Sequence, residues 1–413
     1  IRHHMGEPDD AYYPLQWHYP LIHLPQAWEI TEMNPGAEVI VAVIDTGLLF
    51  KYPNNHPDID AGRIVDGYDF ISNPSISLDG DGIDPNPQDP GDEMEGGSSF
   101  HGTHVAGTIG AATNNATGVA GIAGNCKIMP LRVLGNGGGL ASDIREAIKY
   151  AAGLANSSGT LPAKRADIIN LSLGGSSPSD LDKQVIAEAR NAGVIIIAAA
   201  GNYASSAPMY PAAYNGVISV SAVGADKQLA PYSNYGASID IAAPGGNKSS
   251  DYDGDGHLDG VLSTSGDDES GSIQMVYHFS QGTSMAAPHV AGVAALMKSL
   301  YPALTPAMLD AWIADEVNQP LVEDLGPVGL DNSYGYGLID AFQAVITAQE
   351  AATGVFPKLL YVSPLSLNFG TSEMELTLTA QNFNTGEPLT SVTIIEVEDE
   401  PWLDIIEEID DVE

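Results

Sequence analysis

Short, continuous apolar runs recur along the chain between about Val39 and Ala348. The clearest are residues 39–44, 128–134, 168–173, 194–200 and 217–223. In such a run the side chains on both faces of the strand are apolar. This is typical of a strand in a parallel sheet that is covered on both sides. We therefore expect at least five buried parallel strands.

Helical patterns lie between these runs. Apolar residues recur at helical spacing from Ile144 to Ala151, behind the capping candidates Ser142 and Asp143. A second helix is predicted from Leu181 to Ala192, closed by Gly193. Strands that alternate with helices predict an α/β fold, a doubly wound, mostly parallel sheet flanked by helices, over residues 1–350.

The pattern changes after Ala348. Residues 351–357 have the composition of a linker, and apolar residues then alternate with polar ones around 365–369, 374–380 and 392–402. Period two indicates strands with one solvent-exposed face. Residues 358–413 are thus predicted to form a small, all-β, sandwich-like module, truncated in this sequence, which resembles the BACON and other Ig-like modules of secreted bacterial enzymes.

Composition narrows the functional classes. The 413 residues include 15 Lys and Arg against 54 Asp and Glu, a formal net charge of −39. Such a charge repels nucleic acid and anionic lipid and attracts divalent cations, so we expect neither a nucleic-acid nor a membrane partner. With 44% hydrophobic residues the chain is not a disordered acidic polymer. Its one cysteine, Cys126, excludes an intrachain disulfide and is interpreted as a packing residue.

Three segments carry residues suited to nucleophilic catalysis. Asp45 ends the run 39–44, His101 opens a small-residue helix, and Ser284 begins an apolar helix. Serine is a weak nucleophile that needs a base within reach and a third group to orient that base. His104, three residues after His101, is interpreted as a packing residue because no glutamate completes a zinc pattern.

Val-Ile-Asp-Thr-Gly at 43–47, His-Gly-Thr-His-Val-Ala-Gly at 101–107 and Gly-Thr-Ser-Met-Ala-Ala-Pro-His-Val at 282–290 together resemble the signatures of the subtilisin-like serine proteases, or subtilases, in that family's order. The resemblance extends from about Asp10 to Ala348. It implies that Ser284 is the nucleophile, His101 the general base and acid, and Asp45 the group that orients His101.

The resemblance also implies residues that bind substrate. Asn202 corresponds to the oxyanion-hole asparagine, with the backbone N–H of Ser284 as the second donor. The segment 172–175 corresponds to the edge on which a peptide pairs as an added strand. The substrate-binding residues are then Ser172, Leu173, Gly174, Ala200 and Gly201. The segments assigned to the pocket contain no carboxylate, so an apolar or aromatic residue is expected before the scissile bond. Met209, where relatives often have a small residue, would make the pocket shallower.

One acidic loop predicts calcium from its residues alone. Asp251, Asp253, Asp255 and Asp259 occupy positions 1, 3, 5 and 9 of an EF-hand-like pattern with Gly256 at position 6. His257 occupies position 7, whose backbone carbonyl is a ligand in such loops. Position 12 is Leu262 rather than glutamate. The alternative is a solvated acidic loop.

Two further calcium sites are predicted. The family resemblance implies one that joins three separate segments, with the ligands Asp10, Asp58, Thr113, Asn115, Thr117 and Val119. The other lies in an insertion before His101, where closely spaced carboxylates would repel one another unless a cation or salt screened them. Its carboxylates are Asp79, Asp81, Asp84, Asp89 and Asp92. A plain surface turn is the alternative for the first site. Two or more calcium ions are expected in all.

The sequence therefore favours a secreted, monomeric, calcium-stabilised serine endopeptidase that acts on proteins and peptides. We expect the chain to represent a mature form, from which the family's propeptide, an inhibitor and folding chaperone, is absent upstream of Asp10. One alternative is a calcium-dependent binding or adhesion protein with an idle protease domain. Another is a processing protease selective for basic sites, which would need carboxylates in the substrate pocket.

Overall fold

The computed structural model describes residues 7–31, 38–51, 53–94, 96–315 and 321–354, together with the backbone of strands at 357–363 and 377–382. Contacts between residues divide the chain into two units, Ile1–Ala352 and Thr353–Glu413. Within the described residues, no helix combines the length and the apolar character needed to cross a membrane.

A nine-stranded sheet forms the centre of the larger unit. In chain order its strands are β1 (Ile40–Asp45), β2 (Tyr68–Asp69), β3 (Lys127–Arg132), β4 (Ile168–Leu171), β5 (Ile195–Ala199), β6 (Ile218–Val223), β7 (Ile241–Pro244), β8 (Val322–Glu323) and β9 (Leu338–Ile339). Side by side they run β8-β9-β7-β6-β5-β4-β1-β3-β2. Only β8 and β9 pair antiparallel, so the predicted mostly parallel sheet is confirmed.

The five apolar runs become β1, β3, β4, β5 and β6, with ends that differ by at most two residues. The strands that the pattern did not predict are short. β2, β8 and β9 have two residues each, and β7 has four and includes Pro244. Segments of this length contain too few residues to show a period, so only their neighbours in the sheet define them.

Helices cover both faces of the sheet. The longer ones are α1 (His101–Gly110), α2 (Ala141–Ala151), α3 (Asp180–Asn191), α4 (Thr283–Leu300), α5 (Pro306–Ile313) and α6 (Ala341–Thr353). Shorter helical segments are His18–Leu21, Leu24–Ile30 and Pro74–Ser77, with 3-10 turns at Tyr13–Leu15 and Ala61–Arg63.

The side chains of β1 show why the sheet needs two layers of helices. Val41 and Val43 pack in one buried cluster with apolar residues of α1 and α4, whereas Ile40, Ala42 and Ile44 pack in a second with α2 and α3. Successive residues of a strand point to opposite faces, and both faces of β1 are apolar. The fold is therefore doubly wound, as predicted.

One helix, α2, does not begin at the residues that were predicted to cap it. Ser179 caps α3, where its hydroxyl accepts the N–H of Asp182, and Gly193 follows the helix in the left-handed conformation. Leu140, rather than Ser142 or Asp143, is the residue before α2. The carboxylate of Asp143 instead accepts the N–H and hydroxyl of Ser72, so a contact from another segment replaces the expected cap.

A hairpin outside the main sheet holds α1. Its strands, Val261–Asp267 and Gln274–Ser280, pair antiparallel. The buried His104 ring places Nε2 3.0 Å from the carbonyl oxygens of both Val261 and His278, and burial lowers the pKa of His104 to about 3. His104 therefore joins α1 to the hairpin, which agrees with its interpretation as a packing residue. A smaller hairpin pairs Phe50–Lys51 with Asn54–Asn55.

The second unit is described only in part. Strands Pro357–Ser363 and Thr377–Asn382 pair antiparallel, and the other strands predicted for this module lie outside the described residues. Helix α6 extends to Thr353, so the first three residues of the predicted linker are helical. The small-residue sequence Ala-Ala-Thr at 351–353 suits a helix end as well as a linker. The division at residues 351–357 remains a prediction.

Candidate active site

The candidate catalytic residues gather at one edge of the sheet. Asp45 is the last residue of β1, Ser172 directly follows β4, and Ala200 to Asn202 follow β5. After β1 the chain forms β2 and β3 on one side of β1, and then crosses to form β4 on the other side. The direction in which strands are added therefore reverses between β1 and β4. Open α/β sheets bind ligands at the carboxyl ends of strands beside such a reversal.

Asp45 and His101 form a hydrogen-bonded pair. The Nδ1 atom of His101 lies 2.8 Å and 2.9 Å from the two carboxylate oxygens of Asp45. The Asp45 side chain is fully buried, whereas that of His101 is 25% exposed. The arrangement fixes the tautomer with hydrogen on Nδ1 and leaves Nε2 for proton transfer.

Electrostatics favour the protonated form of His101. Burial opposes the charge of the imidazolium, but the charge and hydrogen bond of Asp45, with smaller contributions from Asp92 and Asp89, raise the pKa of His101 above its ordinary value. The neutral imidazole can then accept a proton from a nucleophile, and the stabilised imidazolium that results can return this proton to a leaving group.

Ser284 is the second residue of α4, after Gly282, which precedes the helix at a φ of 152°. Its hydroxyl lies 3.3 Å from the carbonyl oxygen of Ser172, and the Ser172 hydroxyl donates to the carbonyl of Ser284 at 2.8 Å. These paired contacts join α4 to the end of β4. In structures without substrate the hydrogen bond between nucleophile and base is often not formed.

Asn202 is held by Thr283. Its Oδ1 accepts the N–H of Thr283 at 2.8 Å and the Thr283 hydroxyl at 2.9 Å, and that hydroxyl accepts the N–H of Gly201. The Oδ1 atom is thus fully engaged, which leaves the Nδ2 hydrogens as donors. The N–H of Ser284 lies in the first helical turn, where N–H groups lack partners within the helix. Both donors suit an oxyanion that forms beside Ser284.

The predicted substrate segments lie beside this group. Ser172 is buried, while Gly174 is exposed and Leu173 partly so. Gly175 pairs with Tyr210 through two backbone hydrogen bonds of 2.8 Å. This bridge brings Met209 against Gly174 and Gly201: a Cβ added to Gly201 would lie 3.0 Å from Met209 Cγ, and one on Gly174 would lie 3.9 Å from its Cε. Met209 therefore sits between the two pocket segments.

Hydrogen bonds connect some of the residues that the family resemblance implies as calcium ligands. Asp58 Oδ1 accepts the side-chain amide of Asn115, and its Oδ2 accepts the N–H of Val119, both at 2.8 Å. Asp10 Oδ2 accepts the N–H of Asn114, while its buried Oδ1 has no hydrogen-bond partner. Burial raises the pKa of Asp10 to about 6. Thr117 donates its N–H to Asn115, and the Thr113 hydroxyl bonds within its own loop.

Part of the 251–259 loop also converges. One carboxylate oxygen each from Asp251, Asp253 and Asp259 lies within 4.8 Å of the others. Asp259 is buried; its Oδ2 accepts from Ser250 and Tyr252, whereas its Oδ1 has no partner. Asp255 lies outside this group and accepts the N–H of His257, whose ring stacks on Phe279.

The five carboxylates before His101 do not form one group. Asp79, Asp81 and Asp84 converge, but Asp79 also pairs with the buried guanidinium of Arg132 at 2.8 Å. Asp92 accepts the N–H and hydroxyl of Ser99 at 2.6 Å. Asp89 turns inward, where its Oδ2 accepts the hydroxyl of Thr46 at 2.7 Å. The sequence did not indicate which of the five would bind a cation; in the structure Asp79, Asp81 and Asp84 converge, whereas Asp89 and Asp92 have separate partners.

Two residues that the sequence did not single out, Thr46 and Thr283, contribute to the site. Asp89, which the sequence suggested only as a calcium ligand, contributes through its contact with Thr46. Thr46 and Thr283 are direct neighbours of Asp45 and Ser284. Their positions next to candidate catalytic residues could have drawn attention to them. The sequence does not show, however, which group each threonine hydroxyl bonds.

The chain is similar to proteins of known class. A model of the subtilase family, a peptidase family, matches residues 36–337. The chain is 37% identical over 355 residues, 82% of its length, to an extracellular basic protease of Dichelobacter nodosus. It is 39% identical over 367 residues, 84% of its length, to an extracellular protease of Xanthomonas campestris.

A solved protease structure from Pseudoalteromonas arctica superposes with a TM-score of 0.71 at 42% identity, covering 83% of this chain and 99% of that one. The chain spans only 55% and 58% of the lengths of the Dichelobacter and Xanthomonas relatives. Those proteins therefore contain regions to which nothing in this sequence corresponds.

Proposed function

Since the chain belongs to the subtilase family of serine peptidases, we propose that it is a secreted endopeptidase that hydrolyses proteins by way of an acyl-enzyme. The observation that carries the proposal is a pair of hydrogen-bonded arrangements at the carboxyl ends of the strands: Asp45 with His101, and Asn202 with Thr283, the residue before Ser284. Secretion is supported by the names of the two relatives, both of which are called extracellular.

In the proposed reaction Ser284 attacks the peptide carbonyl while Nε2 of His101 takes the hydroxyl proton. The oxyanion receives hydrogen bonds from Asn202 Nδ2 and the N–H of Ser284. His101 then gives its proton to the departing amine, and the acyl-enzyme remains. Water, deprotonated by His101, attacks the ester and releases the acid product and free Ser284.

The direct test is hydrolysis of casein and of a peptide with Phe before a chromogenic leaving group, with calcium present. Release of chromophore and casein fragments supports an endopeptidase. A folded chain that cleaves neither substrate would favour the binding or adhesion protein instead. Faster cleavage after Arg than after Phe would favour the processing protease.

The pocket supports an apolar preference before the scissile bond. Its expected lining, Leu173, Gly174, Ala200, Gly201 and Met209, carries no charge. A basic side chain would lose water there without a carboxylate to pair with. The position of Met209 between Gly174 and Gly201 limits the depth available to a large side chain.

We expect Met209→Ala to raise the ratio of kcat/KM for Phe over Ala peptides about tenfold, because shortening the side chain deepens the pocket. The measurement is kcat/KM for two peptides that differ only in that residue. Met94→Ala is the control, since Met94 is 75% exposed. A Phe to Ala ratio that stays at the parent value would place Met209 outside the pocket.

Two places support bound calcium. Buried Oδ1 atoms without partners occur at Asp10, on which the charge of Asp58 acts, and at Asp259, which converges with Asp251 and Asp253. Oxygen-rich sets of this kind suit Ca²⁺ rather than a transition metal. Asp10, Asp58 and Asn115 with loop carbonyls would hold one ion, and Asp251, Asp253 and Asp259 another. The role of bound calcium would be structural, since the first set comes from three separate segments and the second closes an acidic loop.

We expect calcium at about 100 times its Kd to raise Tm by about 5 °C relative to excess chelator, measured on Ser284→Ala to prevent self-digestion. Asp259→Asn should lower that rise and reduce the number of ions bound in a calorimetric titration by one. Asp180→Asn, at an exposed position on α3, is the control. If Asp259→Asn binds as many ions as its parent, the 251–259 loop is not a calcium site.

A further inference from the structure

A single buried hydroxyl connects the residues next to the catalytic acid and the catalytic base. Thr46, which follows Asp45, donates its N–H to Asp45 Oδ1 at 2.8 Å. Its hydroxyl accepts the N–H of Gly102, the residue after His101, at 2.9 Å. The hydroxyl then donates to Asp89 Oδ2 at 2.7 Å. The backbones beside Asp45 and His101 are thus joined through one oxygen atom.

The direction of this chain of hydrogen bonds depends on Asp89. The backbone N–H of Gly102 can only donate, so the Thr46 hydroxyl accepts it and directs its own hydrogen to Asp89 Oδ2. Asp89 is only 1% exposed, and its other oxygen accepts the N–H of Gly91 at 2.9 Å. Both carboxylate oxygens are therefore engaged, and the side chain has no contact with bulk water.

The backbones around these residues are packed without room for adjustment. Leu48 donates to the carbonyl of Pro87, and Asp89 donates to that of Leu48. A Cβ on Gly47, whose φ is +111°, would lie 2.9 Å from the Pro87 oxygen, and one on Gly102 would lie 2.3 Å from the Gly47 oxygen. Arg132 donates from Nε to the carbonyl of Thr46. Small displacements at Asp89 are thus transmitted to the turn after Asp45 and to the start of α1.

We propose that Asp89 is a positioning residue for the catalytic pair: through the Thr46 hydroxyl it holds the start of α1, and hence the His101 ring, in the orientation that Asp45 requires. The inference deepens the proposed function and rests on it. Asp89 touches neither substrate nor reacting atoms, so it acts only through Thr46.

Several charged or titratable side chains lie near Asp89 and His101. Asp89 faces Arg132 and Asp92, and His101 faces Asp45, Asp92, Asp89 and, along α1, His104. Burial raises the pKa of Asp89 to about 7, so above that pH Asp89→Asn removes one anion near His101, while Asp45 and Asp92 remain. A smaller anionic field stabilises the imidazolium less, so the pKa of His101 falls and the acid limb of the pH profile moves to lower pH.

The test is Asp89→Asn, measured as kcat and KM across pH on the Phe peptide. We expect the plateau kcat to fall 10- to 100-fold with KM within twofold, because a misoriented base slows the chemical step without altering binding. Glu93→Gln is the matched control: Glu93 is exposed in the same loop and carries the same charge. A plateau kcat within twofold of the parent for Asp89→Asn overturns the proposal.

Variants of Thr46 test whether Asp89 acts through the Thr46 hydroxyl. Thr46→Val removes the hydroxyl at nearly constant shape and should reproduce the loss of kcat, while Thr46→Ser should restore it. The double variant Asp89→Asn with Thr46→Val should lose no more than either single variant, because both remove the same connection. Losses that multiply fully would show that Asp89 acts by another route. If Asp89→Asn does not fold, the Val and Ser pair decides alone.

A measurement without turnover separates this proposal from the proposed function. The proton on His101 Nδ1, bonded to Asp45, is observable by NMR in the parent chain and in Asp89→Asn. We expect it to exchange faster and to titrate at lower pH in the variant. An unchanged exchange rate and midpoint overturn the positioning role even if the parent cleaves no peptide, whereas an inactive parent with the expected NMR change overturns only the proposed function.

Discussion

Ser284→Ala is expected to lower kcat on the Phe peptide by about 10⁶ while the chain remains folded and KM changes little. A fall of this order is known for loss of the nucleophile in subtilisin, which belongs to the same family. The physical reason is that His101 and Asp45 have no hydroxyl to deprotonate, so no acyl-enzyme forms. Activity that remains would come from the oxyanion donors acting on water.

Steady-state kinetics with calcium present measure this effect, and circular dichroism verifies the fold. Ser299→Ala is a matched control on the same helix, because the Ser299 hydroxyl bonds only to the Leu296 carbonyl one turn away. It should leave kcat unchanged. Residual activity of Ser284→Ala above about a hundredth of the parent would mean that another group is the nucleophile, a result that the geometry around Ser172 and His101 does not support.

Asn202→Ala is expected to lower kcat by about 10²–10³ with KM nearly constant. Subtilisin is again the source of that range, from removal of its own oxyanion-hole asparagine. The Nδ2 donor acts on charge that develops only in the transition state, so its loss affects the rate rather than binding. The orientation that Thr283 imposes on Asn202 Oδ1 makes this donor available before substrate arrives.

The same peptide assay gives the kcat and KM of Asn202→Ala. Asn156→Ala serves as control, since the amide of Asn156 bonds to the Leu154 and Thr160 carbonyls in a surface turn. A kcat for Asn202→Ala within about threefold of the parent would show that the oxyanion is stabilised without this side chain. A rise in KM with unchanged kcat would instead assign Asn202 to ground-state binding.

Much of the fold could be predicted from local sequence. The continuous apolar runs became strands of a parallel sheet because both faces of that sheet are covered, a condition that each run shows by itself. Helix α2 was predicted, but its start was not, because Asp143 is engaged by Ser72 from a distant segment. The two-residue strands were not predicted, since no period exists in two residues.

The candidate site residues also differ in how far the sequence could predict them. Asp45, His101, Ser284 and Asn202 were identified because each lies at the end of a strand or the start of a helix with a recognisable sequence around it. The carboxylates before His101 were grouped only by their sequence proximity. Their actual partners are Arg132, Thr46 and Ser99, and the first two of these lie more than 40 residues from their carboxylates along the chain.

The sequence alone thus determined the α/β class, the family and the identity of the candidate nucleophile, base, orienting acid and oxyanion donor, since these depend on residue type within short segments. Tertiary structure alone decided which partner each remaining polar group found. Thr46 bonds Asp89 and Gly102, Met209 lies between two glycines, and Asp259 but not Asp255 joins the acidic cluster. Hydrogen bonds form over about 3 Å, and only the packing of distant elements sets separations on that scale.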